Sequence, residues 1–390
     1  MKILLINDYG TPTGGSELLM VRLRDALRQR GHDARFFASS ARPIPISSQA
    51  DYECFGTTSR FRTLLQTANP WAFYRLRRVL AEFQPDVIHV AIFLTQLSPL
   101  ILRLLAKVPS VYHAVWYRTI CPLGTKTLPE GNDCQDLAGP ACLHRHCLAT
   151  RAWLPLMVQM KLWRQWQNAF NLIVAHSEAL KRRLMEEGVR VSDVIRGGVP
   201  IQIQRPSLSS PPTVAFAGRF VREKGADVLL HAFAKVVTQI PEARLLLVGD
   251  GPEHEGLKDL IFQWRLSSSV SFLGQLPHPE VERCFASAWV QVVPSRWAEP
   301  FGLAAVDAMM RGTAVIASDS GGLSEIVREG ETGFLVTPGN ADALAKALLC
   351  LLQNREQAEQ MGRAGRQVAL CHFSETTFVD KFVQLYRTLL

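Results

Sequence analysis

The chain has 390 residues, enough for two domains of ordinary size. Hydrophobic residues make up 47% of it, which suits a packed globular core and excludes a disordered chain. No apolar run approaches the roughly 20 residues of a membrane-spanning helix, and no signal-peptide pattern opens the sequence. We therefore expect a cytoplasmic protein.

The net charge of +8 is unevenly spread. Residues 1–200 hold 25 Lys and Arg against 15 Asp and Glu, whereas the remaining residues hold 18 against 20. A basic first half predicts an anionic partner on that side of the molecule. Because no aromatic–basic motif of a nucleic-acid-binding module is present, we expect peripheral contact with an anionic membrane or a phosphate-bearing acceptor, and no nucleic acid.

Short β-branched runs alternate with longer helical stretches in both halves, which predicts parallel sheets with helices on both faces. The first strand, near 2–7, leads through a glycine-rich turn into a helix from about Ser16 to Arg30. Further strands are expected near 35–38, 87–90, 110–113, 172–175, 191–196, 213–217, 244–248, 270–273, 290–294 and 314–317. From about residue 341 onward the sequence predicts helix almost throughout.

The domain boundaries follow from this pattern. We expect an N-terminal Rossmann-like domain over 1–200, a Pro- and Ser-rich linker over 201–212 and a C-terminal Rossmann-like domain over 213–375. A last helix over 376–390 is placed to pack back on the N-terminal domain. The parallel sheets are expected to face each other across a central cleft, with the chemistry in the loops that follow the strands.

Glycines and cations lie in two of these loops. Gly14 and Gly15 precede the first helix, whose free N–H groups suit a phosphate, although a simple turn would use the same residues. Arg219 and Lys224 flank a loop after the first strand of the second domain. Their position favours phosphate binding over two solvated cations.

A carboxylate lies in another loop, the segment Arg296–Leu303, which reads Arg-Trp-Ala-Glu-Pro-Phe-Gly-Leu. Glu299 stands just before a helix that begins near Gly302, where it can accept hydrogen bonds from sugar hydroxyls or simply complement the helix dipole. The N–H groups of Phe301, Gly302 and Leu303 would face the same ligand. The turns at 249–252 and 321–325 complete the series of post-strand loops.

Together, these motifs in this order resemble the family-4 glycosyltransferases, retaining enzymes of the GT-B fold. The resemblance covers nearly the whole chain and is strongest from Val214 to Pro338. It implies a retaining transfer from a nucleotide-sugar donor to a saccharide or lipid-linked acceptor, plausible in cell-surface polysaccharide or glycolipid assembly, with no catalytic cofactor. The residues that it implies for donor binding are Gly14, Gly15, Arg219, Lys224, Gly274, Glu299, Phe301, Gly302, Leu303 and Asp307.

Two positions depart from the family's pattern. Asp307 stands where a second Glu is usual; the resemblance implies contact with the donor ribose, which the shorter side chain would weaken or displace. His113, at the end of a predicted strand, matches the family's histidine near the reacting sugar, but Ala114 follows it instead of an acidic or amide residue. We assign catalytic roles to His113, Glu299, Arg219 and Lys224.

Four cysteines fall within a Gly- and Pro-rich insertion over about 118–150: Cys121, Cys134, Cys142 and Cys147. Four thiols in a short polar loop suit a structural zinc, although their spacing matches no standard zinc ribbon. An iron–sulfur cluster and thiols without any ligand are the alternatives. The segment after it, Trp153–Phe170, has the spacing of an amphipathic helix, and its apolar face belongs either to the core or to a membrane interface.

Two other functions share this architecture. A nucleotide-sugar epimerase would use the same two domains but usually lacks the Glu-Pro-Phe-Gly arrangement. A non-catalytic sugar-nucleotide binding protein is compatible with Asp307. Donor-dependent release of a nucleoside diphosphate distinguishes the transferase from both.

Overall fold

The computed structural model of the protein describes residues 1–12, 14–44, 46–59 and 61–390. They form two compact units: the first comprises Met1–Gly197 with Glu375–Leu390, and the second comprises Gly198–Ser374. Each unit is built on one sheet of parallel strands, which confirms the predicted α/β fold with two Rossmann-like domains. No helix of the described residues has both the length and the apolar character needed to cross a membrane.

The first unit contains a seven-stranded sheet with the order β3-β2-β1-β4-β5-β6-β7. Its strands are β1 Lys2–Tyr9, β2 Asp33–Ser39, β3 Tyr52–Cys54, β4 Val87–Val90, β5 Ser110–Ala114, β6 Leu172–Ala175 and β7 Asp193–Val194. Its helices include α1 Gly15–Gln29, α2 Arg62–Thr67, α3 Pro70–Phe83, α4 Ala141–His144, α5 Thr150–Trp166 and α6 Glu178–Glu186, and Pro99–Lys107 form 3-10 turns. The chain thus builds outward from β1 on one side and then crosses to β4 on the other.

The second unit repeats this plan with six strands in the order β10-β9-β8-β11-β12-β13. The strands are β8 Thr213–Ala217, β9 Arg244–Val248, β10 Val270–Gly274, β11 Val290–Val293, β12 Ala314–Ser318 and β13 Gly333–Val336. The helices are α7 Ala226–Val237, α8 His254–Gln263, α9 His278–Cys284, α10 Leu303–Arg311, α11 Leu323–Ile326, α12 Ala341–Gln353 and α13 Arg355–His372.

Alternate residues of β12 show how the second unit is layered. Ala314 and Ile316 lie in one buried cluster with side chains of α7 and α12. Val315 and Ala317 lie in a second cluster with side chains of α10 and α13. Because successive side chains of a strand point to opposite faces, helices cover both faces of this sheet.

The last helix, α14 Glu375–Arg387, belongs to the first unit. Its side chains Phe378, Phe382 and Tyr386 are almost fully buried in the cluster that holds Ile3 and Leu5 of β1. The C-terminal residues therefore complete the core of the unit in which the chain begins.

Residues 201–212 contain no helix or strand, yet they are tied to the second unit. The Arg205 side chain donates to the Gly312 carbonyl (2.9 Å) and pairs with Glu359 (3.2 Å). The Trp289 indole donates to the carbonyl of Ser209 (2.8 Å). The sequence predicts a linker over this segment. In the structure, these contacts pack the segment against the surface of the second unit.

Candidate functional site

Two neighbouring strands of the second unit bring the predicted lysine and glutamate together. Lys224 ends a short 3-10 turn after β8, and Glu299 follows β11. Since β8 and β11 are paired and parallel, the loops at their carboxyl ends meet at one edge of the sheet. There, the Nζ atom of Lys224 donates to Oε1 of Glu299 at 2.6 Å.

Glu299 is a buried carboxylate with several donors around it. It is 5% exposed and also accepts a hydrogen bond from the Ser295 hydroxyl (2.6 Å). Burial alone would raise the pKa of Glu299, but the charge of Lys224 and these hydrogen bonds outweigh it and hold the pKa below its ordinary value. Glu299 is therefore ionised at neutral pH and can accept hydrogen bonds from a sugar.

Two glycines allow the backbones around this ion pair to approach closely. Gly225 has φ +68°, and a Cβ atom there would lie 2.1 Å from the carbonyl oxygen of Pro294. Gly321 has φ +59°, and its Cβ would lie 2.3 Å from the carbonyl oxygen of Glu299. Neither position tolerates a side chain, so both glycines are needed to fix Lys224 and Glu299 in place.

The helix after Glu299 offers free amide groups. α10 starts at Leu303 with Gly302 as its N-cap, and no side chain caps its first turn. Phe301 is buried against Phe373, with ring centroids 5.8 Å apart, which anchors the entry to the helix. The uncapped N–H groups and the helix dipole make this end suitable for an anion.

Arg219 and Gly274 lie at the same carboxyl edge of the sheet. The Arg219 side chain is 67% exposed, and its guanidinium comes no closer than 4.0 Å to the carboxylate of Glu223. The carbonyl of Gly274, at the end of β10, accepts a hydrogen bond from Gly249 (2.8 Å), and the space beside its Cα is open. Arg219 is thus available to a ligand, whereas Lys224 is already paired.

Asp307 lies on α10 and has partners that the sequence did not indicate. Its Oδ1 accepts from Nε2 of His278 at 3.1 Å and from the amide nitrogen of Gln202 at 3.3 Å. His278, Glu282 and Asp307 bring their ligand atoms within 4.8 Å of one another, as a metal site would. However, Arg311 holds Glu282 through two hydrogen bonds (2.9 and 3.1 Å) and already neutralises it, so an ion would compete with a guanidinium.

The predicted glycine pair lies at the carboxyl end of β1 in the first unit. Gly14 is the N-cap of α1, and the helix begins at Gly15, one residue earlier than the sequence suggested. No side chain caps this helix either. A glycine N-cap supplies no side-chain acceptor of its own to the first-turn amides, as the predicted phosphate contact requires.

His113 lies in a different environment from the one its proposed role requires. Its side chain is fully buried, with Nε2 2.8 Å from Nδ1 of His176 and its ring 5.0 Å from that of Phe382. His113 is two residues after Val111, so both side chains point toward the core beneath α14. Nothing in this geometry supports contact between the imidazole and a reacting sugar, and its catalytic role stays a prediction.

The four cysteines of the insertion share one neighbourhood. Burial, together with the nearby Cys142, Cys134 and Cys121, raises the pKa of Cys147 to about 11. Among the described residues, however, no three of these thiols lie within 4.8 Å of one another. The insertion is anchored by an ion pair between Lys126 and Glu187, both about 5% exposed. The structure thus gathers the thiols without placing them at ligand spacing.

Comparison with known proteins gives a consistent result over both units. A family model described as Glycosyltransferase Family 4 matches residues 13–203, and one described as Glycosyl transferases group 1 matches residues 201–368. The phosphatidyl-myo-inositol mannosyltransferase of Mycobacterium leprae is 28% identical over 414 residues, covering 100% of this chain and 97% of that protein. The sulfoquinovosyl transferase SQD2 of Arabidopsis thaliana is 26% identical, covering 90% of this chain and 63% of its own length.

Solved structures agree on the fold. Sucrose-phosphate synthase from Thermosynechococcus elongatus superposes with a TM-score of 0.76 at 25% identity, covering 100% of this chain and 98% of that one. Anabaena Alr3699/HepE in complex with UDP-glucose gives a TM-score of 0.71 at 21% identity, with complete coverage of both chains.

Proposed function

Because the chain belongs to the family-4 and group 1 glycosyltransferases, we propose that it transfers a sugar from a nucleoside diphosphate sugar with retention of the anomeric configuration. The observation that carries this proposal is the Lys224–Glu299 ion pair beside the uncapped start of α10. It sets a cation, a carboxylate and free amides at one edge of a parallel sheet. A diphosphate joined to a sugar needs these groups together.

Each group has a distinct task in the proposed reaction. Lys224 and Arg219 bind the diphosphate and stabilise the charge that develops on it as it leaves. The amides of α10 add their partial positive charge to the same oxygens. Glu299 accepts hydrogen bonds from the donor sugar and so orients it. Since two cations and a helix N-terminus supply the charge, we propose that this step needs no divalent metal.

Asp307 is proposed to bind the donor ribose despite its short side chain. His278 and Gln202 both donate to Oδ1, which fixes the orientation of the carboxylate. Oδ2 is left as the oxygen that would accept a hydrogen bond from a ligand hydroxyl. His278 acts here as a positioning residue, because it acts through Asp307.

We propose that the acceptor is a lipid-linked molecule or a saccharide at a membrane surface. One relative is named for phosphatidyl-myo-inositol, and the first unit carries features that suit an anionic bilayer. Segments 55–81 and 137–177 contain five and four Lys or Arg, respectively, and no Asp or Glu. Helices α2 and α5 fall within them, and so does most of α3.

Exposed apolar side chains stand among these cations. On α5, Leu154 and Val158 are 62% and 42% exposed and share a stripe with Arg151 and Lys161. Other exposed apolar residues of these segments are Phe55, Phe61, Leu64, Trp71, Tyr74 and Leu137. The opposite face of α5, with Met160 and Trp163, is buried, so the helix has both a core face and an exposed amphiphilic face.

The insertion between β5 and α5 is proposed to hold one structural zinc through its four cysteines. The thiols are neighbours in the fold, and four sulfur ligands suit this ion. Binding would draw them together and order a loop that has little apolar surface to bury.

The proposed function is tested by a screen of nucleotide sugars for thermal stabilisation, followed by mass spectrometry of the products formed with lipid and saccharide acceptors. We expect Glu299→Gln mainly to lower kcat and Asp307→Asn mainly to raise the KM for the donor, because only Glu299 contacts the reacting sugar. Donor that returns as an isomer would show an epimerase. Donor that binds unchanged with every acceptor would show a binding protein.

A further inference from the structure

A buried arginine in the first unit has no counterion. Arg118 is 5% exposed, and its Nη2 donates to Oε1 of Gln66 (3.0 Å) and to the carbonyl of Leu94 and Oε1 of Gln159 (3.4 Å each). Across residues 1–12, 14–44, 46–59 and 61–390, no carboxylate oxygen lies within 4.0 Å of it, and its Nε–H has no partner. A buried charge is costly unless it is paired, so this guanidinium calls for an anion.

The nearest buried carboxylate is occupied elsewhere. Asp8 accepts hydrogen bonds from the backbone and hydroxyl of Thr95 (both 2.7 Å) and from the backbone of Gln96 and Leu97 (both 2.8 Å). Asp8 thus fixes the loop after β4, and Leu94, a partner of Arg118, belongs to that loop. The charge of Arg118 is left without a direct partner.

The topology of the sheet places Arg118 where ligands bind. The chain runs from β1 to β2 and β3 on one side and to β4 through β7 on the other, so its order reverses between β1 and β4. Asp8 lies at the carboxyl end of β1, Leu94 just after β4 and Arg118 four residues after β5. Ligands of such sheets bind beyond the strand ends at this reversal.

Arg118 keeps its charge although it is buried. Burial lowers the pKa of Arg118 to about 10, Cys121 and Asp8 act to raise it, and Arg62 acts to lower it, so the guanidinium is protonated at neutral pH. Arg62 is exposed on α2, next to the residues that hold Arg118. A buried positive charge with no carboxylate in direct contact, and with a second arginine nearby, favours an anion.

We propose that Arg118, assisted by Arg62, binds a phosphate group of the acceptor. This inference rests on the proposed function and deepens it, since it makes the acceptor a phosphate-bearing molecule. A guanidinium whose Nε–H is unpaired offers an oxygen of a phosphate a charge-assisted hydrogen bond that neutral acceptors do not match. A phospholipid headgroup and a soluble phosphorylated saccharide share this chemistry.

The substitution Arg118→Met tests the assignment, because it removes the charge and retains much of the volume. With the donor site saturated by a nucleoside diphosphate, inorganic phosphate should raise the Tm of the wild type but not that of Arg118→Met. In buffer free of phosphate, the variant should be less stable than the wild type, because Gln66, Leu94 and Gln159 lose their donor; the test is therefore the shift in Tm that phosphate causes in each protein. Arg190→Gln, at an exposed arginine of the first unit outside the segments 55–81 and 137–177, is the charge-matched control and should respond like the wild type.

Arg118→Lys covers the case in which the methionine variant fails to fold. Lysine keeps the positive charge but lacks the planar guanidinium that can donate two hydrogen bonds to one phosphate. Phosphate should therefore bind roughly tenfold more weakly, as the loss of one charge-assisted hydrogen bond implies. An unchanged phosphate response in either variant overturns the inference.

A vesicle-binding assay distinguishes a lipid headgroup from a soluble phosphorylated acceptor, and a donor-binding assay distinguishes failure of this inference from failure of the proposed function. Binding to phosphatidylinositol vesicles that requires Arg118 assigns a lipid headgroup; an Arg118-dependent response to inorganic phosphate without such vesicle binding assigns a soluble acceptor. Independence of Arg118 in both assays overturns the site. The nucleoside diphosphate should bind equally well to the wild type and to the Arg118 variants. The phosphate inference can therefore fail while the proposed donor site remains supported. Failure of the wild type to bind the nucleoside diphosphate would contradict the proposed function instead.

Discussion

At the scale of single residues, Lys224 and Arg219 are expected to bind the same diphosphate but to differ in their effect on stability. The Lys224 ammonium pairs with a glutamate whose side chain is only 7% exposed, whereas the Arg219 side chain is 67% exposed. Replacing Lys224 therefore leaves a buried carboxylate unpaired, while replacing Arg219 only removes a solvated cation.

We predict that Arg219→Ala lowers affinity for a nucleoside diphosphate at least tenfold, through a lost contact of about 1.5–3 kcal/mol, without changing Tm. Lys224→Ala should lower affinity and also cost about 3 kcal/mol of stability, because breaking one side of a buried pair is penalised. Calorimetric titration and thermal melting measure the two effects. Equal melting temperatures for the two variants would show that the Glu299 pair does not stabilise the fold.

Site residues could be predicted from the sequence where a motif fixes them in a loop after a strand. Lys224 and Glu299 are 75 positions apart, yet parallel pairing of β8 with β11 brings them together as expected. The supporting residues Ser295 and His278 escaped prediction, because single polar residues in a loop or at a helix start carry no distinctive pattern. His113 lies near the end of β5, as the sequence indicated, and is buried in alternation with Val111; its catalytic role stays a prediction.

At the scale of elements, the strands were predicted well where they are central. β4, β6, β8 and β9 have the bounds expected from their apolar runs, because strands buried on both faces are continuous in hydrophobicity. β3 and β13 were missed: both lie at sheet edges, and their three and four residues form no such run. Edge strands are held by one neighbour only, so their sequences are less constrained.

Helix α5 provides a prediction about the membrane. Leu154→Gln with Val158→Gln should reduce binding to anionic vesicles roughly tenfold, because one exposed leucine buried in a bilayer interface contributes about 1.5–3 kcal/mol. Phe262→Gln, at an 80% exposed residue of the second unit, should leave binding unchanged. Co-sedimentation at low and high salt measures both. Equal binding of all three proteins would assign the exposed stripe of α5 to another partner or to none.

The cysteine insertion provides a second prediction at this scale. Protein purified without chelator should carry about one zinc per chain, the content of a single four-ligand site. A strong chelator, Cys134→Ser and Cys142→Ser should each lower Tm, since metal binding is coupled to folding of the loop. Cys371→Ser, at an exposed cysteine elsewhere, is the control. Metal-free protein, with an unchanged Tm in both loop variants, would contradict the zinc site and mean that the four thiols share no ligand. Bound iron with a visible absorbance band would instead favour an iron–sulfur cluster.

At the scale of the whole molecule, the first unit is closed by the last helix of the chain over a row of buried histidines. His89 Nδ1 lies 2.5 Å from the Tyr386 hydroxyl of α14, and the rings of His89 and His113 are 5.5 Å apart. His113 in turn contacts His176. Three imidazoles thus lie under or beside one amphipathic helix, in a unit made from both ends of the sequence.

These histidines should make the first unit sensitive to acid. Burial lowers the pKa of His89 and of His176 to about 3, and burial with the neighbouring His176 and His89 lowers that of His113 well below 6.5. Below pH 6.5 these three histidines bind protons in the unfolded chain, whereas in the folded unit they stay neutral. Stability is therefore complete above pH 6.5 and declines as the pH falls toward 3, by about 1.4 kcal/mol per pH unit for each histidine.

Calorimetry between pH 7 and pH 5 should show this as a falling transition temperature for the first unit. We predict that His89→Phe reduces the slope by about 1.4 kcal/mol per pH unit, the share of one titrating group, because the phenyl ring keeps its packing against Phe382 but binds no proton. His372→Gln, at an exposed histidine of the second unit, should leave the slope unchanged. A slope that is the same in wild type and His89→Phe would contradict the prediction, because it would mean that His89 titrates normally in the folded protein despite its complete burial.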